Sequence, residues 1–314
     1  GGYDEENDNG EYITGSIYLD NIMMNSVFYA PMKYSYEYKS YSNQISEEAL
    51  HNVEFFADKE NTYEAKRNRL ISEIYGGRYI SELYDNQGFE KYFGYEFTAV
   101  PVCFMLIVGI ASIFSGEKNV GMQDLIYSCY GGRSRIFFAK LSSVFLYTAF
   151  VFLWFMTTDL IAFGSIYGFQ SGNAPAFSLE MLKNIPINCS LVQLMFLAQL
   201  YRFIGYLVFA FLIMTVSAIF SQTAVSGIVS ALTTMLLLFG ESLDLTFIEG
   251  ISPIRIISSA RLFFEFKTIN IFDTPVLLHI FLAATFIMSL IIMTFISGAV
   301  YCLGGKGVVS AAKK

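Results

Sequence analysis

Residues 97–114 pass without a single charged side chain. As a helix, a run of 18 residues rises about 27 Å, close to the hydrocarbon thickness of a bilayer. In hydrocarbon every backbone N–H and C=O needs an internal partner, so such a run folds as a spanning helix. Pro101 falls in its first turns, where a missing N–H is tolerated. The pattern recurs over residues 141–169, 203–220, 224–240 and 275–303, giving five predicted spans. The third is preceded by an interfacial stretch from Leu191. Only Ser221, Gln222 and Thr223 part the third from the fourth, which predicts a tight helical hairpin. The composition agrees: 54% of the 314 residues are hydrophobic and 15% charged, against about a quarter charged in soluble proteins.

The first third is different. Residues 1–96 hold 18 acidic and 8 basic side chains, net −10, while the whole chain carries −7. This block reads as a soluble, mainly helical domain, and residues 97–314 as the membrane domain. The expected fold is therefore an all-α polytopic membrane protein with an acidic domain outside the bilayer. Ser46 ahead of two glutamates reads as a helix N-cap. Asn61 or Thr62 reads as the cap of a second helix running to about Tyr75, stopped by Gly76 and Gly77. Alternating tyrosines over residues 34–41 suggest a short strand. The Gly- and acid-rich residues 1–16 read as disordered. With this charge, and no basic cluster interleaved with aromatics, nucleic acid is not an expected partner.

Cys103, Cys129, Cys189 and Cys302 show no paired spacing and read as small apolar side chains rather than a disulfide framework. His51 and His279 stand far apart, so no histidine-based metal site is expected. No bound cofactor is expected either.

The loop over residues 115–140 carries Lys118, Arg133, Arg135 and Lys140 against Glu117 and Asp124. The tail adds Lys306, Lys313 and Lys314. Threading five spans places loop and tail on one face, with net charge +5. The positive-inside rule then makes that face cytoplasmic and residues 1–96 extracytoplasmic. An external start without a leader predicts a further span ahead of Gly1, six in all.

Within this loop, residues 122–129 can form two helical turns between Gly121 and Gly131–Gly132, and the coupling stretch is read as residues 120–129. The stretch reads either as an interfacial loop anchored by cations or as a docking helix for a soluble motor. The run FSGEKNVGMQDLIYSCYGGRSRIFFAKL resembles the first cytoplasmic loop of type-2 ABC transporter permeases. Glu117, Gly121, Leu125, Ser128, Gly132, Arg133 and Lys140 match that family's order of residues. The hairpin around FSQTAVSG and Pro253 in the last external loop are also similar. The resemblance implies a bacterial cell-membrane exporter subunit that dimerises, as a homo- or heterodimer, and pairs with separate ABC ATPases. ATP and magnesium would be held by those ATPases, and the loop, including Asp124, would couple to them. The chain has no GxxxxGK[ST] phosphate loop, since Gly304, Gly305, Lys306 and Gly307 lack its spacing. No catalytic arrangement is apparent, so the chain reads as a transport subunit and not an enzyme.

Asp159 interrupts the second span, and an acid in hydrocarbon is costly unless paired or wet. It lies about 28 Å along the helix from Lys140. Arg202 enters the third span from the same side, so the two either pair or each reach the headgroups. Thr157, Thr158, Ser230, Thr233 and Thr234 could line a path or bond backbone carbonyls, the second being the commoner use. Residues 241–273 mix charged and apolar side chains and read as short amphipathic helices at the external face; in the resembling family the corresponding loop closes the outer end of the pathway. A rival reading makes the chain a membrane-anchored sensor or immunity protein, whose acidic domain binds a cationic peptide or cation.

Overall fold

The computed structural model describes residues 16–55, 62–128, 132–239 and 254–303. They are mostly helical and divide into two compact units, Gly1–Asp85 with Asn270–Pro275, and Asn86–Ile269 with Val276–Lys314.

In the first unit, α1 (Ile17–Met24) passes through a π-helical turn at Asn25–Tyr29 into α2 (Ala30–Phe55). Helix α3 (Tyr63–Tyr75) folds back antiparallel on α2. Tyr38, Ser42, Ser46 and Ala49 are the buried residues of α2, a spacing of four, four and three that lines one helical face. Ser42 Oγ donates to the Tyr75 carbonyl at 2.5 Å, and Ser46 Oγ to the Ser72 carbonyl at 3.3 Å.

Two expectations are thereby corrected. Ser46 faces α3 from the middle of a helix and caps nothing. The tyrosines read as a strand lie in α2, because 34, 38 and 41 are also neighbours at the helical period; ring centroids of Tyr34 and Tyr38 stand 5.6 Å apart. Helix α3 does start after Thr62 and end at Gly76, with Gly77 at φ 74°.

The second unit begins with α4 (Gln87–Gly94), which packs on α8. By composition this stretch belonged with the acidic block, but Phe89, Tyr92 and Phe93 are buried. The bundle follows: α5 (Ala99–Ile110), α6 (Ser115–Asn119), α7 (Met122–Ser128), α8 (Gly132–Ile166), α9 (Leu191–Ile219), α10 (Thr223–Phe239), α11 (Ile254–Ile257) and α12 (Leu278–Leu303). A 3-10 turn at Ser259–Phe263 and strands β1 (Thr268–Ile271) and β2 (Thr274–Leu277) lie between α11 and α12. The tip of this hairpin, Asn270–Pro275, groups with the first unit.

Helix α9 is the hub, packing against α5, α8, α10, α11 and α12. It starts well before the predicted Phe203 because Ser190 and Gln193 form a capping box: Ser190 Oγ accepts from the Gln193 N–H at 3.3 Å, and Gln193 Oε1 from the Ser190 N–H at 3.0 Å. Around it Leu106, Ile110, Phe114, Ile213, Met214 and Tyr301 are almost wholly buried. Gly205 makes room for α11, since a Cβ there would stand 2.8 Å from Ile257 Cγ1.

Among the described residues, four helical segments are long and apolar enough to cross a membrane: Ala99–Asn119, Arg133–Ile166, Leu191–Ile219 and Leu278–Cys302. The sequence predicted five. The fourth of these, α10, is a shorter apolar helix over its described residues. Residues 241–253, with Glu241, Asp244 and Glu249, and the tail from 304 lie outside the described residues.

Candidate functional site

Helix α5 does not run unbroken into the loop. It turns at residues 111–114 and restarts as α6, which frees backbone groups that an apolar setting would penalise. Side chains meet that need. Ser217 Oγ accepts the N–H groups of both Phe114 and Ser115 at 3.1 Å. The Ala111 carbonyl accepts Ser115 Oγ at 2.9 Å and Ser226 Oγ at 2.8 Å. Lys140 Nζ donates to the Ile113 carbonyl, and Lys118 Nζ to the Ala218 carbonyl at the end of α9.

Lys140 also closes an ion pair with Glu117, Nζ to Oε2 2.6 Å, with the two side chains 12% and 24% exposed. Its ammonium stands 4.5 Å from the Phe114 ring centroid, so a cation–π contact supports the pair. The bend below α5 is thus bolted to α8, α9 and α10 by named polar contacts.

Beyond the bend, Gly121 takes φ 72° and turns the chain into α7. Val120, Met122 and Leu125 are exposed, at 70%, 52% and 68%. Ser128 Oγ donates to the Leu125 carbonyl at 2.7 Å in the last turn. Asp124 lies within α7, but its side chain and residues 129–131 lie outside the described residues. Gly132 opens α8, and Arg133 donates to the Cys302 carbonyl at 3.3 Å. Among the residues singled out from the loop, the structure therefore joins Glu117 to Lys140 and ties Arg133 to α12. Ser115, Ser217 and Ser226 were missed, as was the bond of Lys118 to α9; Ser217, for one, lies about a hundred positions from its partners.

A second polar cluster lies at the far end of the bundle. Asp159 Oδ2 accepts from Thr98 Oγ1 at 2.7 Å. Arg202 Nε donates to the Ile257 carbonyl at 3.1 Å. The two charges make no direct ion pair among the described residues, although each lies within electrostatic reach of the other. Gln199 donates to the Tyr92 hydroxyl. Burial pushes the Tyr92 phenol up to about 12; Arg202 and the Gln199 hydrogen bond oppose that rise, and Asp159 adds to it. Tyr92, Thr98 and Gln199 were not anticipated; Gln199 and Arg202 do share a face at a spacing of three.

The threonines bond backwards along their own helices. Thr157 and Thr158 reach the Trp154 carbonyl, Thr233 that of Val229 and Thr234 that of Ser230, the ordinary use of a hydroxyl in an apolar helix.

Comparison with protein-family models, curated proteins and solved structures finds no match.

Proposed function

We propose that this chain is the membrane-spanning permease subunit of an ATP-driven transporter, with the 115–140 loop as its coupling element. The observation that carries the reading is the build of that loop. A short helix with exposed Met122 and Leu125, preceded by exposed Val120, hangs from a bend that Glu117–Lys140, Lys118–Ala218 and Ser217 fasten to the bundle. A force applied to α7 would pass into α5, α8 and α9 without being absorbed by a slack joint.

In this reading the loop faces the cytoplasm of a bacterial cell, a separate ATPase holds ATP and magnesium, and a second permease copy completes the pathway. Helix α7 seats its apolar side chains in a groove of the ATPase. Export is the direction implied by the family resemblance.

The test is a Met122→Asp/Leu125→Asp variant co-expressed with the ABC ATPase that co-purifies with the unaltered chain. The variant is expected to insert into the membrane at wild-type level and lose co-purification of the ATPase. Undiminished pairing would overturn the docking role.

A further inference from the structure

The cluster at the far end of the bundle holds polar groups that the described residues leave unsatisfied. Asp159 uses one carboxylate oxygen on Thr98, and Arg202 uses only Nε on the Ile257 carbonyl. Among the described residues the other carboxylate oxygen and the terminal guanidinium nitrogens have no partner. Two more polar atoms are buried without one: the Tyr206 hydroxyl and Gln199 Oε1. Their residues are 1% and 6% exposed. Gln199, Arg202 and Tyr206 stand at spacings of three and four on α9, so they share one face. The Tyr206 hydroxyl lies within electrostatic reach of both Arg202 and Asp159.

Charge and depth together narrow the ligand. A lone cation drawn to Asp159 is repelled by Arg202, and a lone anion drawn to Arg202 is repelled by Asp159. A group carrying both charges satisfies both residues. Nineteen residues of α8 part Lys140 from Asp159, about 28 Å and close to one hydrocarbon thickness. Asp159 therefore sits at headgroup level when Lys140 sits at the opposite face. The setting is aromatic, as membrane interfaces are: Phe163 packs on Tyr92 at 5.7 Å and on Tyr95 at 5.2 Å.

We propose that Asp159, Gln199, Arg202 and Tyr206 form a binding site for a phosphoethanolamine-type zwitterion, with the phosphate on Arg202 and the primary ammonium on Asp159 and Gln199 Oε1. The Tyr206 hydroxyl donates to a phosphate oxygen. A primary ammonium can donate hydrogen bonds to the carboxylate and a quaternary one cannot, so the site discriminates ethanolamine from choline. The source is either a lipid headgroup or the free phosphoester, and the site does not depend on the ATPase-coupling role of the 115–140 loop.

The full chain in mild detergent is titrated with phosphatidylethanolamine, phosphatidylcholine, phosphatidylglycerol or soluble O-phosphoethanolamine. Bound adducts are read by native mass spectrometry and stability by the thermal midpoint. Phosphatidylethanolamine is expected to bind about tenfold more tightly than the other two lipids, the loss of one charged hydrogen bond. Asp159→Asn should abolish that preference. Tyr206→Phe removes a buried hydroxyl without a protein partner among the described residues, so it should weaken binding about fivefold while the lipid-free midpoint stays level or rises, which separates lost binding from lost folding. Given that pattern, binding of O-phosphoethanolamine marks headgroup recognition alone, and its failure assigns the site to the lipid. Equal retention of the three lipids overturns the proposal. So does a Tyr206→Phe chain that binds as the wild type does.

Discussion

Lys140 of α8 reaches back to Glu117 of α6 and holds its carboxylate at 2.6 Å, across the whole loop that links their helices. Removing Glu117 leaves the mostly buried Lys140 ammonium against Phe114 without its counter-charge, and removing Lys140 leaves a mostly buried carboxylate. Glu117→Gln or Lys140→Met alone should cost about 1–3 kcal/mol, and the double variant less than the sum. Thermal unfolding of all four chains in one detergent measures the coupling; strict additivity would mean that the pair contributes nothing.

Gly205 is where α11 rests on α9. A Cβ there would lie 2.8 Å from Ile257 Cγ1 and 3.2 Å from the Ile257 nitrogen, and a backbone atom cannot swing aside. Gly205→Ala should destabilise the chain by about 1–3 kcal/mol and draw Ile257 away from Arg202, whose Nε bonds its carbonyl. Thermal unfolding checks the first effect. Faster amide exchange in α11 checks the second.

At the hairpin tip, Phe272 and Asp273 have φ of 49° and 56°, the left-handed backbone that a two-residue turn requires. Phenylalanine is poorly suited to it, and the Phe272 ring is 98% exposed, so no packing compensates. Phe272→Asn should raise stability by about 1 kcal/mol, visible as a higher thermal midpoint.

The α2–α3 pair should be sensitive to alkali. Burial raises the phenols of Tyr38 and Tyr75 above the usual tyrosine range, and the nearby Arg78 charge opposes this only in part. A folded-state value above the unfolded one favours the protonated fold. The contribution is thus complete below about pH 10 and is lost as pH climbs through the folded values. Stability followed by circular dichroism should fall between about pH 10 and pH 12. The Tyr38→Phe/Tyr75→Phe chain should show a shallower fall over that window.

The spanning segments were legible because an uncharged run of such length has few other fates. The starts of the second and third were not, falling at Gly132 and Leu191 instead of 141 and 203. Helix α9 begins at Leu191 because a capping box sets it there, and Arg202, read as its border, is buried inside it at 8% exposure. Glu117 and Lys140 could be picked out as charges flanking one loop. Ser217 could not, because its role depends on the bend of a helix distant in sequence. The tyrosines of α2 satisfy the strand and the helix period together, and packing against α3 decides between them. The hairpin at 268–277 was read instead as the end of an amphipathic helical stretch and the start of the last span, since Phe-Asp lacks the Asn-Gly signature of a tight turn.

The π-helical turn at Asn25–Tyr29 inserts an extra residue into an otherwise regular winding. Deleting one residue from it would rotate Ile17–Met24 by about 100° around the axis relative to α2 and draw it in by about 1.5 Å. Side chains that now point one way would then point another. This small irregularity therefore acts as a phase setting, fixing which flank of α1 is presented while α3 grips only the segment beyond it.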